Sequence, residues 1–391
     1  MNLLLVNTVA TGGSIPAYMR TIAREALRRG YDVTMAYGRG LPMPGVRNIR
    51  IGNALDHAAH GIATRLFDRH GLASRASTRR FTAEAERLQP DIIHLHNIHG
   101  YYLHYPTLFA WLKKYGRPVL WSMHDCWAFT GHCAFFDSRE GSCLRWHTGC
   151  GECPQLRQYP ASLGADRSAV NFKDKNLTFN QIPPLLRILP VSDWLSERLA
   201  DSCLAGIART TVKIDLDTDI FRPSGTPRTP RVLGVANVWD ARKGLDFFAR
   251  LRQELPDSVE IRLAGRIPGK VPKGIKSLGN IADRRELARE YSEATVTVSA
   301  SYAENYPQTI REALACGCAV SARDTGGTLE GLIGTGLPVW SGTDDDSLVK
   351  AVKSALAAPA HNRRECASRF AGTPNLDILF GLYTELSIRN C

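Results

Sequence analysis

The sequence predicts an α/β protein of two domains, each built from β-α-β units around a parallel sheet. The chain has 391 residues, which is too long for one compact domain and suits two of about 180 residues each. Short aliphatic and β-branched runs alternate with helical patterns along its length, as is typical of parallel sheets covered by helices. Glycine-containing loops follow several of these strands, where open α/β sheets bind their ligands.

Composition places the chain among soluble globular proteins. Hydrophobic residues make up 44% of it and charged residues 22%, which are ordinary fractions. The sequence contains no run of 18 apolar residues, so no membrane span is predicted. The first residues, Met1–Val6, are too short for the apolar region of a signal peptide and predict a strand instead. We therefore expect a cytoplasmic protein.

The net charge of +11 suggests an acidic partner. Its basic residues are scattered, as in Arg24, Arg28 and Arg29, and no nucleic-acid-binding motif is present, so nucleic acid is not an expected partner. An anionic membrane surface is the remaining candidate. The charge therefore has two interpretations: peripheral attachment to the inner face of the cytoplasmic membrane, or solubility alone.

The first predicted β-α-β unit carries a glycine pair. Asn2–Val6 is a buried strand, Tyr31–Ala36 is the next one, and Gly12 and Gly13 precede the helix between them. Because glycine has no Cβ, backbone N–H groups there can approach a phosphate closely. The alternative is a tight turn, and the G-x-G-x-x-G pattern of dinucleotide folds is missing.

Histidines follow the next two predicted strands of this domain. His94 and His96 end the strand Asp91–His96 and point to the same face, and His124 directly follows the strand Pro118–Met123. Each of them is either a hydrogen-bonded structural histidine or a ligand contact at the carboxyl edge of the sheet.

Half of the ten cysteines fall between Cys126 and Cys153. A Cys-x2-Cys pair within this run is typical of structural zinc sites, in which four thiolates bind the ion tetrahedrally. The predicted ligands are Cys133, Cys143, Cys150 and Cys153, with His132 and His147 as alternatives. Reduced, partly buried cysteines of a cytosolic protein are the other interpretation.

The segment from Ala294 to Gly317 predicts a strand, a loop and a helix. Ala294–Val298 is the strand, Pro307 suits a first helical turn, and Gly317 suits a helix end. Glu304 lies in the loop and Glu312 in the helix. Free N–H groups at the helix start favour an anion, so a neighbouring carboxylate suggests a ligand with both phosphates and hydroxyls, such as a nucleotide-sugar. Two solvated glutamates on an amphipathic helix are the alternative.

These segments resemble glycosyltransferase family 4, and the resemblance covers nearly the whole chain. Its most specific parts are the Glu304–Glu312 segment and the block His124–Cys153. Together with Asp166-Arg-Ser and Asn171–Lys175, that block is similar to the transferases of colanic acid and other exopolysaccharides. The implied fold is GT-B, with two Rossmann-like domains facing each other across a cleft.

The resemblance implies a retaining transfer of a hexose-type sugar. The donor would be a UDP- or GDP-sugar, and the acceptor a glycan or a polyprenyl-diphosphate-linked glycan. An Asp-x-Asp motif at the end of a strand would indicate a catalytic metal, and the sequence has none in that position. We therefore expect metal-independent catalysis.

Individual roles follow from the same resemblance. His124 and Glu304 would contact hydroxyls of the donor sugar and carry catalysis, and Glu312 would hold the ribose hydroxyls. The residues expected to bind the donor diphosphate are Gly12, Gly13, Arg242, Lys243, Pro307, Gln308 and Thr309. The chain departs from the family at Ala236-Asn237, where Gly-Arg is frequent, and Arg242 is the candidate replacement for that arginine. It departs again at Ile214-Asp215, where Asn-Gly is usual.

The expected domains are an N-terminal acceptor-side domain, residues 1–211, with a cysteine-rich insert at 124–160, and a nucleotide-sugar-binding domain, residues 224–370. A linker spans 212–223, and a C-terminal helix within 371–391 would cross back onto the first domain. Two other functions stay open: a nucleotide-sugar 2-epimerase of the same fold and a non-catalytic scaffold of a polysaccharide assembly. An epimerase converts its donor without acceptor, whereas a scaffold binds no nucleotide.

Overall fold

The structure, a computed structural model that describes residues 1–182, 185–359 and 362–388, contains two six-stranded parallel sheets. The chain divides into two units. The first comprises Met1–Phe136, Ser142–Ile214 and the described residues from Asn375 onward, and the second comprises Asp137–Gly141 and Asp215–Pro374. The prediction of two α/β domains built on parallel sheets is confirmed.

The first sheet has the strand order β3-β2-β1-β4-β5-β8. The strands and helices up to the end of this part of the chain are β1 (Asn2–Val9), α1 (Ser14–Arg28), β2 (Asp32–Arg39), β3 (Arg47–Arg50), α2 (Ala54–Phe67), α3 (Arg75–Leu88), β4 (Ile92–Leu95), α4 (Tyr105–Tyr115), β5 (Val119–Met123), β6 (Asp137–Ser138), β7 (Gly141–Ser142), α5 (Ser168–Phe179), β8 (Leu186–Pro190) and α6 (Asp193–Ala200). The strands β2 and β3 lie on one side of β1, and β4 lies on the other. The order in which strands are added to the sheet therefore reverses between β1 and β4. Ligands of open α/β sheets bind outside the carboxyl ends of strands at such a switch point.

The second sheet repeats this topology, with the order β11-β10-β9-β12-β13-β14. Its elements are β9 (Thr229–Val238), α7 (Leu245–Glu254), β10 (Glu260–Arg266), β11 (Lys276–Gly279), α8 (Arg284–Glu293), β12 (Ala294–Ser299), α9 (Gln308–Ala315), β13 (Ala319–Arg323), β14 (Val339–Gly342), α10 (Asp345–Ala357) and α11 (Arg363–Ser368). The switch point here lies between β9 and β12. The loops that follow these two strands carry Lys243 and Glu304.

Each sheet is buried because its central strands are aliphatic on both faces. Leu3, Leu4, Leu5 and Val6 of β1 are at most 1% exposed, as expected for a strand covered by helices on both sides. Helix α1 packs against the sheet through an apolar face that includes Met19, Ile22, Ala23 and Ala26.

The last helix, α12 (Pro374–Ile388), belongs to the first unit. Leu379, Phe380 and Tyr383 are its most buried side chains. The Tyr383 hydroxyl lies 2.7 Å from Nδ1 of His94, and Asp377 lies 3.0 Å from the guanidinium of Arg29. Residues 389–391 of the predicted C-terminal segment lie outside the described residues. Within those that are described, no helix is long and apolar enough to cross a membrane.

Candidate active site

In the second unit, the structure brings Lys243 and Glu304 together at the carboxyl ends of β9 and β12. Lys243 ends a single 3-10 turn, Ala241–Lys243, whose start is capped by Asp240. The backbone N–H of Tyr302 donates to the Arg242 carbonyl at 2.8 Å, so this turn and the loop after β12 are joined. Gly244 follows with a φ of +70°, and a Cβ there would lie 2.5 Å from the Ala300 carbonyl oxygen. Only glycine permits this close approach.

An ion pair links the two predicted residues. The Lys243 ammonium contacts Oε1 of Glu304, and the Arg242 guanidinium lies 3.6 Å from the same oxygen. Glu304 is only 8% exposed. Burial opposes its ionisation, but the charges of Lys243 and Arg242 outweigh this effect and hold the pKa of the Glu304 carboxyl below its ordinary value. The site therefore contains a buried carboxylate with two cations beside it.

Glu312 lies on α9 in a different environment. Its Oε2 accepts a hydrogen bond from the Tyr291 hydroxyl at 3.2 Å. Burial raises the pKa of Glu312 to about 7, against the smaller opposing effects of the Arg284 charge and the Tyr291 hydroxyl. Near neutral pH this carboxyl is thus shared between its neutral and ionised forms, and a ligand that donates hydrogen bonds would favour the ionised one.

The start of α9 is formed by Pro307, Gln308 and Thr309. Pro307 is the N-cap residue, and within the described residues no side chain caps this helix start. The N–H groups of a first helical turn have no partner within the helix, and their dipoles favour an anion. The predicted trio therefore provides backbone donors on the same loop-helix segment that carries Glu304.

In the first unit, Gly12 and Gly13 lie between β1 and α1. Their φ angles are +82° and +79°, and a Cβ at either position would have no neighbour within 4 Å. The left-handed backbone explains the glycines, since no close packing contact requires them. Gly13 is the N-cap residue of α1 and its position leaves the helix start without a side-chain cap in the described structure. The turn is therefore open around both glycines, and its role in phosphate binding stays a prediction.

His124 follows β5 at the same edge of the first sheet, two strands from β1. Its Nε2 lies 3.0 Å from Nδ1 of His96, and the two rings stack with an interplanar angle of 13°. Burial lowers the pKa of His124 to about 4. Since the pKa of the buried His96 is also well below its ordinary value, both rings are neutral near pH 7, and one of the facing nitrogens donates while the other accepts.

His94 packs against His96 of this pair and is hydrogen-bonded at both ring nitrogens. Its Nδ1 bonds Tyr383 of α12, and its Nε2 lies 2.8 Å from Oγ of Ser122. The His94 and His96 ring centroids are 4.3 Å apart. His94 is therefore the structural, fully hydrogen-bonded histidine of the two, whereas His96 contacts the candidate catalytic side chain.

Comparison with known proteins decides the family. Residues 15–152 match Glycosyltransferase Family 4, and residues 229–358 match the family Glycosyl transferases group 1. The chain is also 25% identical over 380 residues to the putative colanic acid biosynthesis glycosyl transferase WcaC of Escherichia coli strain K12, with 91% of each chain covered. This protein is a family-4 glycosyltransferase. The predicted family and its colanic-acid subgroup are confirmed.

Solved structures support the fold of this glycosyltransferase. Sucrose-phosphate synthase from Thermosynechococcus elongatus superposes with a TM-score of 0.71 at 17% identity, over 98% of both chains. Anabaena HepE in complex with UDP and glucose superposes with a TM-score of 0.64 at 14% identity, over 98% of this chain and 99% of that one. Identities this low show the fold alone, which is GT-B as predicted.

A second hydrogen-bond chain in the glycosyltransferase was missed by sequence reasoning. Oδ2 of Asp125 lies 2.9 Å from Nε2 of His99, and Nδ1 of His99 lies 3.2 Å from the Tyr159 hydroxyl. Burial opposes the ionisation of Asp125, but the contact with His99, the Trp127 N–H and the nearby His124 together hold the pKa of this carboxyl below its ordinary value. The available signal was position: His99 follows β4 closely, at the edge of the sheet that also carries His124.

A buried lysine fixes the turn that follows His124 and Asp125. Nζ of Lys175 donates to the carbonyls of Trp127 and Thr130 at 2.6 and 2.9 Å and lies 3.8 Å from the centroid of the Trp127 ring. Burial lowers the pKa of Lys175 to about 7. The contact joins α5 to the turn after Asp125 across 45 residues of the chain, which residue patterns alone could not show.

The four cysteines of the predicted structural zinc site lie together, and the zinc site itself stays a prediction. Cys133, Cys143, Cys150 and Cys153 do line one small cavity. Among the residues that the structure describes, however, no group of three or more His, Cys, Asp or Glu side chains is arranged to hold a metal ion. Burial raises the pKa of Cys153 to about 12 and also raises those of Cys133 and Cys150.

The two histidines that were alternative zinc ligands have other partners. Nδ1 of His132 lies 2.7 Å from Oδ1 of the buried Asp68, and His147 stacks on Trp146 with ring centroids 3.7 Å apart. None of the described cysteines forms a disulfide. The cysteine block is therefore a packed set of reduced side chains in this structure, and Cys133 belongs to the core of the first unit.

Proposed function

We propose that this glycosyltransferase moves a hexose-type sugar from a UDP- or GDP-sugar to a glycan or polyprenyl-diphosphate-linked acceptor, with retention of configuration. The observation that carries the proposal is the buried carboxylate of Glu304 in contact with Lys243 and near Arg242. Two further facts support it: HepE was solved with UDP and glucose, and the name of WcaC places that relative in colanic acid biosynthesis.

The cations of the second unit suit a diphosphate leaving group. In the transfer, an acceptor hydroxyl oxygen forms a bond to the sugar's anomeric carbon and releases its proton to solvent. The bond between that carbon and the diphosphate oxygen breaks, and negative charge develops on the diphosphate oxygen. Lys243, Arg242 and the backbone donors at the start of α9 would stabilise this charge, and in the first unit Gly12 and Gly13 would offer further backbone donors. Because side-chain cations can supply the positive charge, the proposal includes no catalytic metal.

The carboxylates suit the hydroxyls of the donor. Glu304 is ionised, so it would accept hydrogen bonds from sugar hydroxyls once Lys243 turns to the phosphate. Glu312 would accept from the ribose hydroxyls. His124, neutral and held by His96, would contact the sugar from the first unit. Charged acceptors make stronger hydrogen bonds than neutral ones, which gives both glutamates a reason to be carboxylates rather than amides.

Thermal unfolding with a panel of nucleotides tests the proposal. UDP or GDP at 100 times its dissociation constant should raise the free energy of unfolding by about 2.7 kcal/mol, and the base that does so identifies the donor. Incubating the matching nucleotide-sugar without acceptor should leave it unchanged. If it is converted to another sugar, the protein is an epimerase. If none of the nucleotides stabilises the protein, the transferase proposal is rejected in favour of a non-catalytic scaffold.

Nucleotide affinity should depend on pH through Glu312. Ribose hydroxyls favour the ionised carboxylate, and its pKa of about 7 leaves it increasingly protonated below that pH. The dissociation constant should therefore rise about tenfold for each pH unit below 7 and level off above it. Isothermal titration between pH 5.5 and 8 measures this dependence.

The Glu312→Gln variant is the matched control for that titration. It retains the ionisation of the nucleotide's phosphates but lacks the carboxyl, so the difference between the two proteins isolates Glu312. Equal pH dependence in both would remove Glu312 from the ribose site. The sign is opposite for stability: the neutral form stabilises the fold fully below pH 4.5, and this contribution is lost as the pH rises through about 7.

A further inference from the structure

Helix α2 of the first unit turns its aliphatic side outward. Leu55 is 80% exposed, Ile62 58% and Leu66 49%. At about 100° per residue these three side chains lie within roughly 40° of one another on the helix, and the exposed Ala58 and Ala59 lie beside them. We call these five residues the α2 stripe. Scattered exposed aliphatic residues are ordinary in proteins, but a continuous stripe along one helix indicates an interaction surface.

The opposite side of α2 is polar and buried. It consists of His57, His60 and Thr64. Nε2 of His57 lies 2.9 Å from the Ile51 carbonyl oxygen. His60 accepts from the Gly71 N–H at 3.0 Å through Nε2 and contacts Ser74 through Nδ1. The helix is therefore amphipathic in the inverted sense, with hydrogen-bonding groups inward and aliphatic groups outward.

Both ends of α2 fix this orientation. At the start, Asn53 and Asp56 form a reciprocal capping box. At the end, the buried Asp68 bonds His132 and accepts from the Arg167 N–H at 3.0 Å. Rotating the stripe inward would break these bonds and those of the two histidines, each of which leaves a buried polar group without a partner. The exposed stripe is thus a stable property of the folded unit.

Arginines outnumber acidic residues along α2 and the first turns of α3. Residues 54–80 contain five arginines and two aspartates. Asp68 is buried, and Asp56 lies 3.6 Å from Arg80. Arg65, Arg69, Arg75 and Arg79 are exposed, and no ion pair within the described residues involves them. Leu163 is also exposed, and it lies beside the last turns of α2, because its N–H donates to the Arg65 carbonyl at 2.7 Å.

We infer that the α2 stripe and its arginines dock this protein on an anionic lipid membrane. Helices that lie in the membrane interface bury an aliphatic face among the acyl chains while neighbouring cations meet anionic headgroups. The charge around the stripe favours this occupant over a second copy of the chain, whose α2 region would present the same positive charge. The inference extends the proposed lipid-linked acceptor by naming the surface that reaches the bilayer, but its test does not require transferase activity.

The test uses the full chain and vesicles of two compositions. In flotation assays we expect binding to vesicles of 70% phosphatidylcholine and 30% phosphatidylglycerol, and much weaker binding to phosphatidylcholine alone. The triple variant Leu55→Ser, Ile62→Ser, Leu66→Ser should lose at least tenfold in vesicle affinity. The matched control, Val271→Ser, Ile333→Ser, Ile378→Ser, removes three other exposed aliphatic side chains and should bind as the wild type does.

A charge variant separates the two contributions. Arg65→Gln with Arg69→Gln should weaken binding to the anionic vesicles by on the order of fivefold for each arginine, with little effect on binding to neutral ones. Because all substituted residues are exposed, the melting temperature of each variant should stay close to that of the wild type, which checks that the fold is intact.

Three outcomes would overturn the inference: a wild type that does not float with anionic vesicles, a stripe variant that floats equally well, or a wild-type dimer in sedimentation that the stripe variant converts to a monomer without any vesicle binding. Nucleotide stabilisation, measured on the same preparations, reports on the proposed function separately. Lost vesicle binding with intact nucleotide stabilisation rejects only the membrane surface.

Discussion

Glu304→Gln is expected to lower kcat/KM for sugar transfer by about 10³-fold, at the upper end of what one preorganised electrostatic contact contributes. The glutamine keeps the size of the side chain but removes the charge that pairs with Lys243 and would accept from sugar hydroxyls. Transfer of radiolabelled sugar from the donor identified by thermal unfolding measures the loss. Nucleotide alone should bind with nearly unchanged affinity, because the proposed role of Glu304 is with the sugar.

The exposed Glu254 offers a matched control. It pairs with Lys353 at 2.8 Å on the surface of the same unit, so Glu254→Gln also removes one carboxylate from an ion pair. This variant should keep full activity, since exposed pairs contribute little. A Glu304→Gln enzyme as active as the Glu254→Gln one would remove Glu304 from the catalytic site.

Lys243→Met should reduce kcat by about 10²–10³-fold, because the charge that develops on the leaving diphosphate would lose its nearest cation. Unlike Glu304→Gln, this variant should also bind UDP or GDP more weakly, since the contact is with the nucleotide itself. The two variants can thus be told apart by titration with nucleotide alone. Arg242, 3.6 Å from Glu304, leaves a partial counter-charge for the carboxylate.

Lys353→Met is the corresponding surface control for Lys243→Met. We expect it to match the wild type in both kcat and nucleotide affinity. If Lys243→Met lost activity but bound nucleotide normally, the lysine would be acting on Glu304 rather than on the phosphates. If it lost neither, the proposed diphosphate site would be misplaced.

The sheets of this protein were predictable because their central strands are aliphatic and bounded by glycine. The predicted strands Asp91–His96 and Pro118–Met123 correspond to Ile92–Leu95 and Val119–Met123 in the structure. Gly317, predicted as a helix end, follows α9 with a φ of +75°. Such features depend on residues that are close together in the chain, so they can be predicted from a single sequence.

Features that depend on distant residues were not predictable. Lys243 and Glu304 are 61 residues apart, and only the strand order, which places β12 beside β9, brings them into contact. Helix α2 does not follow the usual pattern, in which the apolar face of a helix packs inward. Its buried face is polar and is held by hydrogen bonds of His57 and His60. The four cysteines of the predicted zinc site line one cavity, a proximity that their spacing in the sequence does not determine.

The return of α12 to the first unit also affects how the protein is made. The ribosome must add about 160 residues of the second unit between Ile214 and Asn375, which takes roughly 10–30 s at ordinary elongation rates. During that interval His94 lacks its tyrosine partner, and Tyr31, whose ring centroid later lies 5.7 Å from that of Phe380, lacks its aromatic neighbour. The unit whose synthesis begins first is therefore the last to be completed.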